Sequence, residues 1–188
     1  LEDIAADCEG LLSALVPKGH LSYQDADIDL SPPFPRRPFY ELLRDRGGVR
    51  EPERLTHDEA LEAFVEHVER SLGHAHPEFV VDYPASMASL ARTKRGAPHL
   101  AERLELYISG IELANGFDEL TDAEEQRRRC AEDNAQRKAL DLPSIPMDED
   151  FLDALTQGMP PSAGIALGVD RLVMLLTDSA HIDDVLTF

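Results

Sequence analysis

The run Glu105 to Glu119, ELYISGIELANGFDE, constrains the chain most. Ser109-Gly110 is a two-residue turn whose glycine tolerates positive φ, the short-range mark of a β-hairpin. A regular ladder about that turn sets 108 opposite 111, 107 opposite 112, 106 opposite 113 and 105 opposite 114. Side chains alternate across a strand, so Leu104, Leu106, Ile108, Ile111 and Leu113 share one apolar face. Glu105, Tyr107, Glu112 and Ala114 share the other. There the two carboxylates are diagonal neighbours roughly 7 Å apart, a spacing that suits a shared divalent cation and its phosphate oxygens. A solvated face with incidental charge is the competing reading. Asn115-Gly116-Phe117-Asp118-Glu119 then adds an amide, a glycine, an aromatic ring and further carboxylate, which favours a ligand site.

The chain of 188 residues is long enough for one buried core, and its 43% hydrophobic content is that of a globular protein. A formal net charge of −19 argues against a broad nucleic-acid platform on this surface, because phosphate binding needs clustered Lys and Arg. Any RNA-directed function must be carried elsewhere. No long apolar run and no cationic leader is visible, so a cytoplasmic chain without a membrane span is expected. Cys8 and Cys130 fall inside helical patterns and read as small buried side chains. His57, His67, His74 and His76 lack carboxylate or thiol partners at ligand spacing.

The remaining pattern alternates helices and strands. Ile4, Cys8, Leu11, Leu12 and Leu15 mark an amphipathic helix over 1–16 that has no N-cap of its own. Asp25 to Leu30 reads as a short strand, and Phe39 to Arg46 as a helix stopped by Gly47-Gly48. Thr56 with Glu59 forms a capping box for a helix over 56–72, with the stripe Leu61, Phe64, Val65, Val68 and Leu72 and a stop at Gly73. Phe79 to Tyr83 is a strand; Pro84 to Ala91 is a loop of small residues fit to lie near a ligand; Thr93 to Pro98 is expected to be a mobile basic loop. Thr121 with Glu124 is predicted to cap a long helix through Lys138 whose charges face solvent. A loop over 140–148 and a short helix over 150–158 follow. Ala163 to Gly168 reads as a buried strand running into a helix from Val169. Arg171 falls in that helix's first turn, where a cation opposes the macrodipole. Its placement therefore favours ligand contact, by stacking on a purine or holding phosphate oxygens, over an Asp170-Arg171 pair fixed in structural contacts.

Gly164-Ile165-Ala166-Leu167-Gly168-Val169-Asp170-Arg171-Leu172 resembles the third motif of class II aminoacyl-tRNA synthetases of the lysyl branch. Glu105-x-Tyr107 and Glu112-Leu113-Ala114-Asn115-Gly116-Phe117-x-Glu119-Leu120 resemble the strands that line that family's ATP and lysine sites. The resemblance runs from about Leu1 to the end, with Phe79 to Ala91 and Leu186-Thr187-Phe188 also fitting. It implies an α+β fold, a mainly antiparallel sheet flanked by helices, of which residues 1–188 form the C-terminal portion of the catalytic domain. It also implies that ATP and magnesium are bound by Glu105 and Glu112, that Arg171 stacks on adenine, and that Gly168 keeps room for the nucleotide. Asn115 and Glu119 are implied as contacts of the substrate amino acid, with Phe117 and Ala166 shaping its pocket.

Within the branch, the sequence is most similar to the ligases that attach β-lysine to a lysine of elongation factor P. Ala114 stands where lysyl-tRNA synthetases usually carry glycine, as does Ala166, and the run Ala85 to Leu90 fits as well. A methyl group in such a pocket is worth roughly 1 to 3 kcal/mol of discrimination. A lysyl-tRNA synthetase, acting on lysine tRNA, is the first alternative; a catalytically silent paralogue that binds a nucleotide or partner is the second. The family's first motif, which makes a homodimer interface, and its second, which supplies an arginine to the α-phosphate, are expected before Leu1. The chain alone is therefore expected to be inactive in adenylation.

Overall fold

The computed structural model describes residues 1–186; Thr187 and Phe188, the end of the C-terminal resemblance, lie outside the described residues. The central element is the predicted hairpin, strands β6 (Ala97–Ile108) and β7 (Ile111–Asp118). Ser109 and Gly110 have φ of 51° and 73°, the left-handed pair that a two-residue hairpin turn demands. Around it a six-stranded sheet runs in the order β3 (Arg36–Pro38), β4 (Glu78–Pro84), β6, β7, β8 (Ala163–Leu167), with β5 (Thr93–Lys94) also on β6. Among the described residues only β3 and β4 pair in parallel; the other pairings are antiparallel. This is the expected α+β architecture.

Both sheet faces are covered. On one, α1 (Glu2–Leu15), the separate hairpin of β1 (His20–Tyr23) and β2 (Ala26–Asp29), and α6 (Val169–Leu176) pack Ile4, Cys8, Leu12, Ile28, Leu172 and Leu175 against Leu104, Leu106, Ile108 and Leu113. The alternation of the sequence therefore does set the apolar face. On the other, α2 (Phe39–Asp45) and α3 (His57–His67) bring Phe39, Leu42, Leu43 and Phe64 onto Val80, Tyr83, Ala101 and Tyr107. The Thr56–Glu59 capping box forms as predicted. Val68 and Leu72 of its stripe are buried, whereas Leu61 and Val65 stay half exposed because they line a cavity.

Several local expectations change. The helix expected over 56–72 ends at His67, and a 3-10 turn over Glu69–Ser71 fills the gap before Gly73. Helix α4 (Ala123–Ala139) is capped by Asp122, whose Oδ1 accepts from the N–H groups of Glu124 and Glu125, so Thr121 is not the cap. The short helix α5 (Glu149–Thr156) is capped by Asp148. Residues 93–98 form no mobile loop; they are the β5–β6 turn, with Gly96 at φ 82°. Strand β8 is half-buried, with Ala163 and Ala166 exposed, because among the described residues it pairs only with β7.

Candidate active site

The ladder between β6 and β7 is not regular. Ile108 faces Ile111 and Tyr107 faces Glu112, but Leu106 then faces Ala114 and Glu105 faces Asn115. Leu113 is the extra residue of a β-bulge, which breaks the alternation. Ala114, expected beside Glu105, joins Leu113 in the apolar core instead. Glu112, Asn115 and Phe117 all reach the Glu105 face, which strict alternation forbids. A second irregularity lies between Val81 and Tyr83, where Asp82 has φ 53°. Beyond it Tyr83 turns to the same side as Glu105. Pairing of β7 with β8 completes two rows across the sheet, Glu105–Asn115–Ala166 and Arg103–Phe117–Gly164.

Glu105 is 5% exposed and its carboxylate is saturated. Oε2 accepts from the Tyr83 and Tyr107 hydroxyls, the latter at 2.7 Å, and Oε1 accepts from Arg103 Nη2 and, at 3.2 Å, from Asn115 Nδ2. Arg103 also donates to the Met87 carbonyl at 2.7 Å and lies over the Tyr83 ring at 4.6 Å and the Phe117 ring at 5.8 Å. Phe39 and Phe64 stack at 4.8 Å behind the two tyrosines and fix their rings. Burial, and next the Glu105 charge, raise the pKa of both tyrosine hydroxyls, which holds them as donors. Asn115 Oδ1 is buried with no hydrogen-bond partner. Neither Arg103 nor Tyr83 belongs to the motifs that mark the site in the sequence. Alternation back from Glu105 offers Arg103; no local signal offers Tyr83, because Asp82 breaks the count.

Arg171 comes to this face from 59 residues away: its Nη1 donates to the Glu112 carbonyl at 2.6 Å and lies 3.7 Å from the Glu112 carboxylate. The ion pair is half exposed. A Cβ on Gly168 would meet the Arg171 stem at 3.3 Å, so this glycine makes room for the guanidinium's own arm. Likewise a Cβ on Gly164 would stand 2.8 Å from Glu119 Oε1, placing Glu119 over β8 beside Phe117. Burial first, and Asp118 second, raise the Glu119 pKa.

A cavity of about 750 Å³ opens over Glu105, Tyr107 and Glu112. Leu61, Phe64 and Val65 of α3 form one wall, and Arg128, Arg129 and Glu132 of α4 the other. The charged face of α4, expected to be solvated, thus shapes this space, and Arg129 fixes it by donating to the Ser89 and Ala91 carbonyls. Asn115, Phe117, Glu119, Ala166, Gly168 and Arg171 do not line the cavity; they extend the same sheet face from its edge toward β8 and α6.

Burial raises the Glu112 pKa, Glu105 adds to the rise, and Arg171 and Arg103 partly oppose it. A carboxyl raised in the folded state favours folding below its ordinary pKa and loses that contribution as pH climbs through the folded value. Glu112→Gln is therefore expected to exceed the parent in urea midpoint at neutral pH, with the difference shrinking toward about pH 4. A variant weaker than the parent at neutral pH would contradict this charge balance.

Among the described residues no group of three or more His, Cys, Asp or Glu side chains is placed to hold a metal ion. For the magnesium expected on Glu105 and Glu112, the donor sets differ. Glu112 suits a hard cation: its charge is penalised, and Arg171 meets its carboxylate at no less than 3.7 Å. Glu105 does not fit as a direct ligand, because a metal there must displace one of four donors.

The sequence profile of class II tRNA synthetases (D, K and N) matches residues 1–188. The chain belongs to this synthetase family. It is 43% identical over 190 residues to a lysine–tRNA ligase of Parasynechococcus marenigrum (strain WH8102), covering 89% of this chain and 38% of that protein. It is 39% identical over 207 residues to a lysine–tRNA ligase of Synechococcus sp. (strain CC9605), covering 98% of this chain and 40% of the relative. A lysine–tRNA ligase of Trichormus variabilis (strain ATCC 29413 / PCC 7937) is 39% identical over 212 residues, 99% of this chain and 37% of its own. The class II chain thus spans about two fifths of the curated relatives it matches. Among its described residues no helix is long and apolar enough to cross a membrane.

Proposed function

We propose that this chain supplies the lysine-side and adenine-side portion of an ATP-dependent site that activates lysine and passes it to tRNA. The observation that carries the reading is the convergence of Arg171 on Glu112, two segments far apart in sequence, at the edge of the face organised by Glu105. In the first step a carboxylate oxygen of lysine attacks the α-phosphorus of ATP, the bond to pyrophosphate breaks, and a lysyl adenylate remains. In the second, an acceptor nucleophile takes the acyl group and AMP leaves with the bonding pair.

Each residue has a chemical fit to this scheme. Arg171 is half exposed and delocalised, suited to stacking on adenine. Glu119 and the unpartnered Asn115 Oδ1 suit N–H donors of an amino acid, since an ammonium offsets the burial penalty of the one and satisfies the other. Phe117, packed over Arg103, closes the side of that pocket. Glu112 would hold magnesium, which when bound neutralises charge on the phosphates.

The names of the relatives favour tRNA as acceptor over a lysine of elongation factor P. The β-lysine alternative rests on the Ala166 methyl, which stands across β7 and β8 from Asn115 and bears on the amino-acid pocket, not on the acceptor. Pyrophosphate exchange by the full-length protein with lysine and with β-lysine separates the two substrates. Calorimetric titration with ATP and magnesium tests the site itself. The parent chain is expected to bind, and Arg171→Ala to bind at least about tenfold more weakly. Equal affinity in the two would remove Arg171 from the nucleotide site and end this reading; binding without any exchange in the full-length enzyme would favour the silent paralogue.

A further inference from the structure

We propose that Arg129 is a positioning residue of the amino-acid site, acting through the backbone that carries Glu119; this rests on the lysine-site reading above. Glu119 lies one residue past the end of β7, beyond its ladders with β6 and β8. Other segments hold it there. Ala91 bridges Glu119 as an antiparallel partner, with Arg92 N–H donating to the Asp118 carbonyl at 2.9 Å and Leu120 N–H to the Leu90 carbonyl at 2.8 Å. Glu119 N–H donates to the Ser162 carbonyl at 2.9 Å. The line of the Glu119 backbone therefore follows where residues 90–92 sit.

Arg129 fixes them. The Leu90 carbonyl is taken by Leu120, which leaves those of Ser89 and Ala91 on either side of it to be satisfied. Arg129 Nη1 carries two hydrogens and donates to both, at 3.0 Å to Ser89 and 2.8 Å to Ala91. Its Nε donates to Glu125 at 2.9 Å, which orients the guanidinium plane. Two features make this clamp costly to lose. Ala91 is fully buried, so water does not readily replace the donor to its carbonyl. Ser89 holds a left-handed φ of 52°, a conformation that a residue with a side chain keeps only where its surroundings enforce it. Residues 89–92 are thus gripped from both sides, by the chain leaving β7 and by the helix that this chain enters. Among the described residues Arg129 bonds to none of the side chains assigned to lysine.

The test titrates L-lysine, and separately ATP with magnesium chloride, into the full-length protein by calorimetry. Arg129→Ala is expected to weaken lysine binding about 10- to 30-fold and to leave ATP binding within about threefold of the parent, since the nucleotide side at Glu112 and Arg171 is not built on residues 89–91. Arg129→Lys keeps the charge but not the fork and is expected to lose about fivefold for lysine; it carries the same comparison if the alanine variant does not fold. In a Glu119→Gln background Arg129→Ala is expected to add less than about threefold, because the residue acts through Glu119. Hydrogen exchange of the Leu120 and Arg92 amides is expected to accelerate about tenfold or more in Arg129→Ala, with the amides of the β6–β7 ladder unchanged. The proposal is overturned if lysine and ATP affinities fall together, if lysine affinity is retained, or if the two substitutions add in full. Unchanged exchange at Leu120 overturns it as well; all of these outcomes leave the lysine-site reading standing. A parent that binds no lysine, or a Glu119→Gln variant that loses none of its lysine affinity, refutes that reading and the positioning role with it.

Discussion

Glu105→Ala is expected to lower the unfolding free energy by about 3–5 kcal/mol, the cost of removing one partner of a buried ion pair. The reason is what stays behind. Arg103 loses its carboxylate, the Tyr83 and Tyr107 hydroxyls lose their acceptor, and Asn115 Nδ2 is freed, all on a face covered by α2 and α3. Denaturant unfolding of the parent, Glu105→Ala and Glu105→Gln checks it. The glutamine variant keeps the acceptor for Arg103 and should lose much less. If both variants fall equally, the charge and not the hydrogen-bond geometry is what the fold requires. A loss below about 1 kcal/mol in the alanine variant, the scale of a single surface ion pair, would mean that Glu105 is solvated in solution.

Gly73→Ala is expected to cost about 3 kcal/mol or more. Gly73 has φ 72°, and a Cβ there would lie 2.4 Å from the Tyr107 carbonyl oxygen and 2.8 Å from Ile108 Cα. These are backbone atoms of β6, which cannot swing aside as a side-chain tip can. The chain after α3 is also bonded to the hairpin turn, with Ser109 N–H donating to Gly73 O at 2.9 Å and Gly110 N–H to Leu72 O at 2.7 Å. Any shift therefore loosens the turn that aligns Tyr107 and Glu112. Gly48→Ala is the control: φ is 67° but nothing lies within 4 Å of the added carbon. It should cost about 1 kcal/mol, the conformational term alone. Equal losses in the two variants would show that the close approach of Gly73 to Tyr107 is absent in solution.

Gly73 shows how far local reading reaches. As a break after the apolar stripe it is visible in the sequence, although α3 itself ends at His67 and a 3-10 turn over Glu69–Ser71 intervenes. That it must be glycine because a strand from residue 107 passes within 2.4 Å of its missing side chain is a tertiary fact. The same division runs through the site. Glu105, Glu112, Asn115, Phe117, Glu119 and Arg171 were legible as a set through their motifs. Their meeting on one face was not, since Glu112 and Asn115 have opposite parity in a regular strand.

The sequence by itself determined the hairpin, the apolar face of its strands, the capped helix α3, the α+β class and the family. The first three follow from backbone preferences and side-chain alternation within a few residues; the class and the family follow from the resemblance of the 105–120 and 164–172 motifs. Tertiary structure decided which polar residues share the site: the bulge at Leu113 turns Asn115 and Phe117 toward Glu105, and the break at Asp82 turns Tyr83 to meet them. It also turned α4 from a solvated helix into a cavity wall and satisfied Glu105 with four donors drawn from three strands. A bulge costs one step of alternation locally and is stabilised by what the displaced side chains then touch, so its position is set by partners distant in the chain.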